Sequence, residues 1–299
     1  MNRNVFAGFA LALSLAAPVF SETAAFEVGA LQIEQRGSAG PAVIFIPGLA
    51  SGSWVWADTA QRLEKDHAVY LLTLPGFDGR QPVAGTTLET LEGDIEKLIE
   101  SRKIARPVLV GHSLGGTLSL KFATGHSDLI AGVIAVDGLP VFPGTEGQTG
   151  DRSKLADGVR AQFGGQTREQ FVASQHGYMK QVGSIDAATA DRLAEQTSRS
   201  DIGATADYAA QVFALDLRAK LTDIKVPVVE ISPFNAPDFA PMGIDEERKG
   251  GYYRMLLAGV PQLEVVSISP ARHFVMFDQP EKFARVLDAA LLRLATPAK

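Results

Sequence analysis

The stretch Val108–Gly116, Val-Leu-Val-Gly-His-Ser-Leu-Gly-Gly, constrains the fold more than any other part of the chain, because β-forming residues run almost directly into a helical pattern. Leu114, Leu118 and Phe122 recur at four-residue spacing, as on the buried face of a helix. A serine at such a turn has a strained backbone, and only glycine fits two positions away on either side. The stretch therefore predicts a strand, a sharp turn and a helix, with the Ser113 hydroxyl exposed at the turn.

This turn has a chemical interpretation and a plain one. In the first, Ser113 is a nucleophile, and the backbone N–H of Leu114, at the positive end of the new helix, points at an oxyanion formed beside it. In the second, the pattern Gly-x-Ser-x-Gly is a chance occurrence in a glycine-rich turn. The strand before the serine and the helix after it favour the nucleophile.

Length and composition fit one domain with an insertion. The chain has 299 residues, of which 46% are hydrophobic and 21% charged, so it can bury a large core. The formal net charge is −6, and no basic cluster exceeds short pairs such as Arg248–Lys249. This charge pattern argues against a nucleic-acid binder. We expect a small-molecule substrate and no nucleic-acid partner.

The first 21 residues differ in character from the rest. A cationic start that includes Arg3 precedes the apolar run 5–17, and small residues follow near a cleavage point after Ser21. We interpret residues 1–21 as a secretory signal peptide; an uncleaved membrane anchor is the alternative, although the run is short for a bilayer span. The chain has no cysteine, so neither a disulfide nor a cysteine-linked lipid is expected. We expect a secreted or periplasmic protein, with no stable membrane insertion once the signal is removed.

Apolar, β-rich runs alternate with helical patterns along most of the chain. The predicted strands cover Phe26 to Gln35 at one edge, 42–46, 67–74, 108–110, 129–136, 226–231 and 263–268. Thr86 and Glu89 form a predicted capping box for a helix with Leu88, Leu91, Ile95 and Leu98 on its buried side, Gly125 is a predicted C-cap, and the last helix begins at Pro280. Such alternation predicts an α/β fold with a mostly parallel, doubly wound sheet, whose sites lie at the C-terminal strand ends.

The pattern changes between about Leu139 and Leu221, where helical segments rich in Gly, Gln, Ser and Ala replace the strands. We interpret 139–221 as an inserted helical cap, with a core formed by 22–138 and 222–299. The insertion follows Asp137 directly, at the end of a predicted strand, so both of its ends emerge at the C-terminal edge of the sheet. The cap is therefore expected to fold over Ser113 and to control which groups enter.

A neutral serine is a poor nucleophile, so Ser113 needs a general base that titrates near neutrality. His273 is the candidate, because it lies in a loop after the last predicted strand, from which it can reach the turn. The other histidines have simpler structural or solvated roles, although one of them, in the predicted cap, could touch a substrate: His67, His112, His126 and His176.

These motifs resemble those of the α/β-hydrolase family with a cap domain, over almost all of the mature sequence. Three segments carry the resemblance: an oxyanion loop at 47–49, a nucleophile elbow at 111–116, and a histidine loop with His273 and 279–281. It is consistent with an oxyanion hole made by the backbone N–H groups of Leu49 and Leu114. The family's usual histidine before the oxyanion-loop glycine is Pro47 here, which is tolerable because the hole uses backbone groups.

The acidic residue that should orient the histidine departs from the family pattern. Most members carry an aspartate about ten residues beyond the start of the strand corresponding to 226–231, but that register gives Ala236 here, followed by proline. Asp137 occupies a neighbouring strand end from which some members supply their acid, and the chain order of serine, aspartate and histidine is preserved. The alternatives are that Asp137 only caps its turn, and that the acid is Asp238 or, behind it, Asn235.

The resulting hypothesis is an exported serine hydrolase that cleaves a small carboxylic ester. Ser113 attacks the carbonyl, His273 relays the proton, Asp137 orients the imidazole, and water cleaves the acyl-enzyme. No metal or organic cofactor is implied, since there is no His-Glu-x-x-His motif, cysteine cluster or dinucleotide fingerprint. A lactonase, an amidase or a cofactor-free haloperoxidase could use the same triad. The irregular acid also keeps open a ligand-binding protein on a hydrolase scaffold.

Overall fold

Eight strands form one twisted sheet in the computed structural model, which describes residues 24–295. The strands are β1 (Ala24–Val28), β2 (Leu31–Arg36), β3 (Ala42–Ile46), β4 (Ala68–Thr73), β5 (Val108–His112), β6 (Gly132–Val136), β7 (Val228–Pro233) and β8 (Leu263–Ile268). Their order is β1-β2-β4-β3-β5-β6-β7-β8. The pairs β1–β2 and β2–β4 are antiparallel, and every later pair is parallel. The mostly parallel α/β sheet predicted from the sequence is confirmed, whereas the predicted signal peptide, residues 1–21, lies outside the described residues.

Helices connect the parallel strands and cover both faces of the sheet. They are α1 (Ala57–Leu63), α2 (Leu88–Ser101), α3 (Leu114–His126), α4 (Ser153–Gly164), α5 (Arg168–Tyr178), α6 (Ala187–Thr197), α7 (Ile202–Ala214), α8 (Ala236–Phe239), α9 (Glu246–Leu256), α10 (Val275–Asp278) and α11 (Pro280–Ala295). A single π-helical turn, Met179–Gly183, follows α5. Short 3₁₀ turns lie at Ser53–Trp56, Ser127–Leu129, Arg218–Asp223 and Ala240–Met242.

The core consists of two apolar layers, one on each face of the sheet. In β3, Ile44 and Ile46 belong to the layer under α2, α3 and α9, while Val43 and Phe45 belong to the layer under α1 and α11. Alternate residues of a strand point to opposite faces, so a strand that is apolar at every position is buried on both. This two-sided burial makes the sheet doubly wound, as predicted.

The first predicted strand, Phe26 to Gln35, is in fact the hairpin of β1 and β2. Gly29 lies at the turn with φ +57°, and a Cβ there would lie 2.0 Å from a carboxylate oxygen of Asp94. That carboxylate accepts a hydrogen bond of 2.8 Å from the backbone N–H of Ala30. The prediction of one strand was wrong because the Gly29–Ala30 step within it is a turn.

Helix α2 begins one residue later than the predicted capping box required. Thr87 is the N-cap: its hydroxyl accepts from the N–H of Thr90 at 3.1 Å, and the hydroxyl of Thr90 accepts from the N–H of Thr87 at 2.8 Å. The hydroxyl of Thr86 instead donates to the carbonyl of Val83 at 2.7 Å. The prediction placed Glu89 at the reciprocal position, which a threonine fills here. The predicted buried residues of this helix are buried, as expected.

The predicted C-cap at Gly125 is also wrong. Helix α3 continues to His126, and a 3₁₀ turn extends it to Leu129. The hydroxyl of Ser127 donates to the carbonyl of Ala123 at 2.6 Å. A serine side chain thus satisfies a terminal carbonyl, and no glycine with positive φ is needed there.

The chain between β6 and β7 forms the helices α4 to α7, which confirms the predicted helical insertion. The two ends of the segment meet, because Val141 forms an isolated antiparallel bridge with Asp216 and the N–H of Leu217 donates to the carbonyl of Pro140 at 2.8 Å. The insertion therefore leaves and re-enters the core at one place, although its exact bounds, 139–221, remain a prediction. None of the helices found between residues 24 and 295 has the length and apolarity that a membrane crossing requires.

We expect Thr87→Ala to lower the free energy of unfolding by about 1 kcal/mol, because it leaves a helix N-terminal N–H without its cap. The neighbouring variant Thr86→Ala is the matched control, and its effect should stay within about 0.5 kcal/mol, because the hydroxyl of Thr86 caps no helix N–H. Urea denaturation of both variants measures the difference. A larger loss for Thr86→Ala would show that the helix begins where the sequence pattern placed it.

Candidate active site

Ser113 lies at the sharp turn between β5 and α3, with φ +53° and ψ −119°. Two glycines make this turn possible. A Cβ on Gly111 would lie 2.1 Å from the carbonyl oxygen of Gly115, and one on Gly115 would lie 2.3 Å from the carbonyl oxygen of Ile46. Both neighbours are backbone atoms that cannot move aside, so any larger residue would displace the turn. The strained serine and its two glycines are found where the sequence pattern placed them.

The ends of β5 and β6 place Ser113 beside Asp137. The N–H of Ser113 donates to the carbonyl of Val136 at 2.9 Å, and the N–H of Asp137 donates to the carbonyl of Ile231 at 3.0 Å. Asp137 also has a positive φ, +52°. Each residue thus forms one more inter-strand hydrogen bond beyond the end of its strand. The chain then turns sharply at the C-terminal edge of the sheet.

His273 reaches Asp137 from the loop after β8. Its Nδ1 lies 2.5 Å from Oδ2 of Asp137. The backbone of the loop is attached to the insertion, because the N–H of His273 donates to the carbonyl of Val182 at 3.0 Å and that of Phe274 to the carbonyl of Gly183 at 2.9 Å. Asp137 therefore holds the imidazole, and the π-helical turn of the inserted segment holds the backbone of the loop.

His112, the residue before the serine, contacts the backbone of His273. It is fully buried, and its Nε2 lies 3.0 Å from the carbonyl oxygen of His273. Burial, reinforced by the charge of His273, lowers the pKa of His112 to about 3. A neutral imidazole must donate from Nε2 to that carbonyl, which leaves Nδ1 unprotonated. This structural role agrees with the interpretation made from the sequence.

Asp137 remains ionised although it is buried. Burial alone would raise the pKa of this carboxyl, but the hydrogen bond and charge of His273, the charge of Lys249 and a hydrogen bond from the Tyr253 hydroxyl together hold it below its ordinary value. The Tyr253 hydroxyl donates to Oδ1, while His273 occupies Oδ2. Both oxygens are thus engaged, and the carboxylate cannot rotate freely.

Glu230 places a second carboxyl behind Asp137. It is fully buried in β7, and its Oε1 accepts a hydrogen bond of 3.2 Å from the N–H of Gly138. Burial, with the nearby charge of Asp137, raises the pKa of Glu230 well above its ordinary range. Of the two neighbouring carboxyls, Glu230 therefore favours the protonated form and Asp137 the charged form. Sequence analysis missed this group, and the available signal was one acidic residue within the apolar run 226–231.

The two predicted oxyanion donors belong to segments that meet at Ser113. Leu114 is the first residue of α3 and lines the cavity over the serine. Leu49 belongs to the loop after β3, and a Cβ on the preceding Gly48 would lie 3.2 Å from Cβ of Ser113. The loop therefore passes directly against the serine, and the assignment of both N–H groups to an oxyanion hole remains a prediction.

Ser113, Asp137 and His273 line one cavity of about 690 Å³. The inserted segment supplies part of its wall through Leu139, Val141, Phe142, Pro143, Tyr178, Gln181, Val182 and Val212. The region between β7 and the end of α9 supplies another part through Phe239, Met242, Ile244, Arg248, Lys249, Tyr252 and Tyr253. Most of these side chains are apolar or aromatic, which is typical of a pocket for a small organic molecule.

The competing candidates are engaged elsewhere. Asp238, on α8, forms an ion pair with Arg272 through contacts of 2.7 and 2.8 Å and accepts from Asn235 at 2.9 Å. Asp238 borders the cavity. The remaining histidines contact acidic side chains outside the cavity: His67 with Asp66, His126 with Glu92 and Glu96, and His176 with Asp191.

We expect the stability of the protein to fall with decreasing pH partly because of His112. Its folded-state pKa of about 3 lies below the value of about 6.5 typical of an unfolded chain, so in that window only the unfolded state binds the proton. His112 should therefore contribute a loss of up to about 1.4 kcal/mol per unit as pH falls below 6.5. Urea unfolding of His112→Gln between pH 6.5 and 4 should show a shallower dependence than wild type.

The control for this experiment is His176→Gln, a variant at a half-exposed position on α5. It should retain the wild-type dependence on pH, since His112 is still present. An unchanged slope in His112→Gln would contradict the assignment of His112 as a buried neutral imidazole.

Comparison with known proteins relates this geometry to a family. A curated relative, the pimeloyl-[acyl-carrier protein] methyl ester esterase of Aeromonas hydrophila subsp. hydrophila, is 24% identical over 265 residues, which cover 85% of this chain and 96% of the relative. Among solved structures, an esterase from Exiguobacterium antarcticum has a TM-score of 0.72 at 17% identity, covering 89% of this chain and 96% of that chain. The enol-lactonase from Burkholderia xenovorans LB400 has a TM-score of 0.70 at 19% identity, covering 90% and 100%.

A family model also matches most of this chain. The model of the alpha/beta hydrolase family matches residues 43–286, from β3 to the middle of α11. This range contains the serine turn, the inserted helices and the histidine loop. The chain belongs to the alpha/beta hydrolase family.

Proposed function

We propose that the protein is a serine hydrolase that cleaves a small carboxylic ester through an acyl-enzyme on Ser113. The observation that carries the proposal is the 2.5 Å contact between Nδ1 of His273 and Oδ2 of Asp137, in a cavity that Ser113 also lines. A serine, an imidazole and a buried carboxylate are the groups that acyl transfer requires. The esterase and lactonase names of the relative and the neighbouring structures support an ester as the bond cleaved.

In this mechanism His273 acts first as a base and then as an acid. Because Nδ1 faces Asp137, Nε2 is the nitrogen available to take the proton from the Ser113 hydroxyl. The serine oxygen attacks the ester carbonyl, and the resulting oxyanion accepts hydrogen bonds from the N–H groups of Leu49 and Leu114. The intermediate then collapses, and the alcohol leaves with the proton from His273. Water repeats the sequence and releases the acid.

The buried groups around Asp137 preserve its charge during this cycle. The imidazolium that forms on His273 needs an anion beside it, and Asp137 is held ionised by its hydrogen bonds. Burial disfavours a negative charge on Glu230 and so disfavours a second charge behind Asp137. Tyr253 fixes the carboxylate through the oxygen that His273 does not use. The acid thus keeps one charge and one orientation.

Substrate choice is assigned to the inserted helices and export to the N-terminal segment. The apolar side chains of 139–221 that line the cavity, such as Val141 and Val212, would contact the acyl or alcohol part of the ester. The proposal of a secreted or periplasmic location rests on the signal-peptide pattern of residues 1–21 alone.

The test is turnover of a panel of p-nitrophenyl esters by the wild-type protein and two aspartate variants. Wild type should hydrolyse short-chain esters with many turnovers. Asp137→Asn keeps the size of the side chain but favours the wrong imidazole tautomer, so kcat should fall by up to about ten-thousandfold. Asp238→Asn is the matched control; it breaks an ion pair with Arg272 and should change kcat by less than about tenfold.

Three results would contradict parts of this proposal. A large loss in Asp238→Asn with a small one in Asp137→Asn would assign the acid to the segment after β7. Nearly full activity in Asp137→Asn would show that Asp137 only caps its turn, since asparagine caps turns almost as well as aspartate. Tight binding of esters without turnover by wild type would favour a ligand-binding protein.

A further inference from the structure

Lys249 lines the catalytic cavity. The residue belongs to α9, and it is half-buried. Its Nζ donates to the carbonyl of Pro233 and lies 5.0 Å from the ring centroid of Phe239 and 5.3 Å from that of Tyr253. A backbone carbonyl and two aromatic faces therefore hold the cation in place.

The ammonium retains binding capacity. A lysine has three N–H donors, and one of them is used by Pro233. No carboxylate among residues 24–295 forms an ion pair with Lys249, although Asp137, Glu230 and Asp238 are near enough to influence it. Burial lowers the pKa of Lys249, and the charges of Asp137 and Asp238 oppose the shift. A half-buried ammonium group without an ion pair is partly desolvated, so an approaching anion would stabilise it.

The carboxylates of the cavity are already matched with other partners. Asp137 binds His273 and the Tyr253 hydroxyl, and Asp238 binds Arg272. The lining contains two carboxylates and three cations, of which Arg248 and Lys249 are not paired with those carboxylates. The cavity wall is thus relatively rich in positive charge, in a chain whose formal net charge is −6. Such a wall favours anionic substrates over neutral ones.

We propose that Lys249 binds a carboxylate of the substrate, so that the preferred esters are monoesters of dicarboxylic acids. This inference rests on the proposed ester hydrolysis at Ser113 and names its substrate class. The apolar wall that includes Phe142, Val212 and Ile244 would accommodate the hydrocarbon part of such a molecule. Lys249 is then a specificity-determining residue, because it contacts a part of the substrate that does not react.

A purely internal role for Lys249 makes a different prediction. If the ammonium only offsets the charge of Asp137 and the nearby carboxyls, its removal would impair the triad and slow every ester to the same extent. If it also binds a substrate carboxylate, its removal would slow charged esters more than neutral ones. The ratio of the two rates therefore separates the roles.

The experiment compares monomethyl and dimethyl esters of the straight-chain dicarboxylic acids from succinate to suberate, by methanol release at pH 7.5. The monomethyl ester carries one carboxylate, and the dimethyl ester is its neutral counterpart of nearly the same size. At the best chain length, wild type should show a kcat/KM about tenfold to a hundredfold higher for the monomethyl ester, as expected for a hydrogen bond between charged groups. Equal values, or a preference for the dimethyl ester at every length, would overturn the inference.

Lys249→Met removes the charge and keeps most of the side-chain length. It should lower the monomethyl-to-dimethyl ratio of kcat/KM at least tenfold, chiefly by raising KM for the monomethyl ester, and Lys249→Arg should retain part of the preference. Lys154→Met, at an exposed position on α4 away from the cavity, is the control and should keep the wild-type ratio. An equal loss on both esters in Lys249→Met would assign the residue to support of the triad.

A measurement on wild type keeps the inference testable if Lys249→Met does not fold. Adipic acid monoamide should inhibit hydrolysis of a neutral ester competitively at a concentration at least tenfold lower than the uncharged diamide, and equal inhibition would overturn the inference. Failure of the proposed function is distinct from either result, since wild type would then hydrolyse neither the monomethyl nor the dimethyl esters. Hydrolysis of both without a preference for charge would reject only the role of Lys249.

Discussion

The backbone at the ends of β5 and β6 is the constraint on which the rest of the site depends. Ser113 and Asp137 both have positive φ values, +53° and +52°, which are unfavourable for side chains with a Cβ. Each is held there by a hydrogen bond from its N–H to the adjacent strand. Close backbone approach adds to this, because a Cβ on Gly138 would lie 2.6 Å from Cα of Gly116. The sheet therefore supplies the rigidity that keeps two strained residues side by side.

The charge balance of the site follows from burial around that fixed point. Asp137 lies between a donor imidazole and a donor phenol, which explains how a buried carboxyl remains ionised. Glu230 has fewer donors to offset its burial, so its pKa is raised and its protonated form is favoured. Burial also keeps His112 neutral, and its Nε2–H donates to the backbone carbonyl of His273. The inserted segment completes the arrangement by holding that backbone from the other side.

Local sequence patterns were sufficient for the features that depend on nearby residues. The strand, turn and helix around Ser113 follow from apolar spacing and two glycines, and the buried side of α2 follows from its periodicity. Details that depend on distant contacts were not predicted. Gly29 lies at a hairpin turn whose next N–H binds Asp94, far along the chain. Tyr253 and Lys249 approach Asp137 only because α9 packs beside β7. No local motif predicts these long-range contacts. The one local signal was Glu230, an acidic residue within an apolar strand.

The central claim is that Ser113 is the residue that becomes acylated, and covalent labelling tests it most directly. The folded protein would be treated with a fluorophosphonate, which reacts with serines activated by a neighbouring base, digested, and mapped by mass spectrometry. The account predicts one stoichiometric adduct on the peptide that contains Ser113, absent after labelling of Ser113→Ala. No adduct on wild type, or an equal adduct on Ser113→Ala, would contradict it.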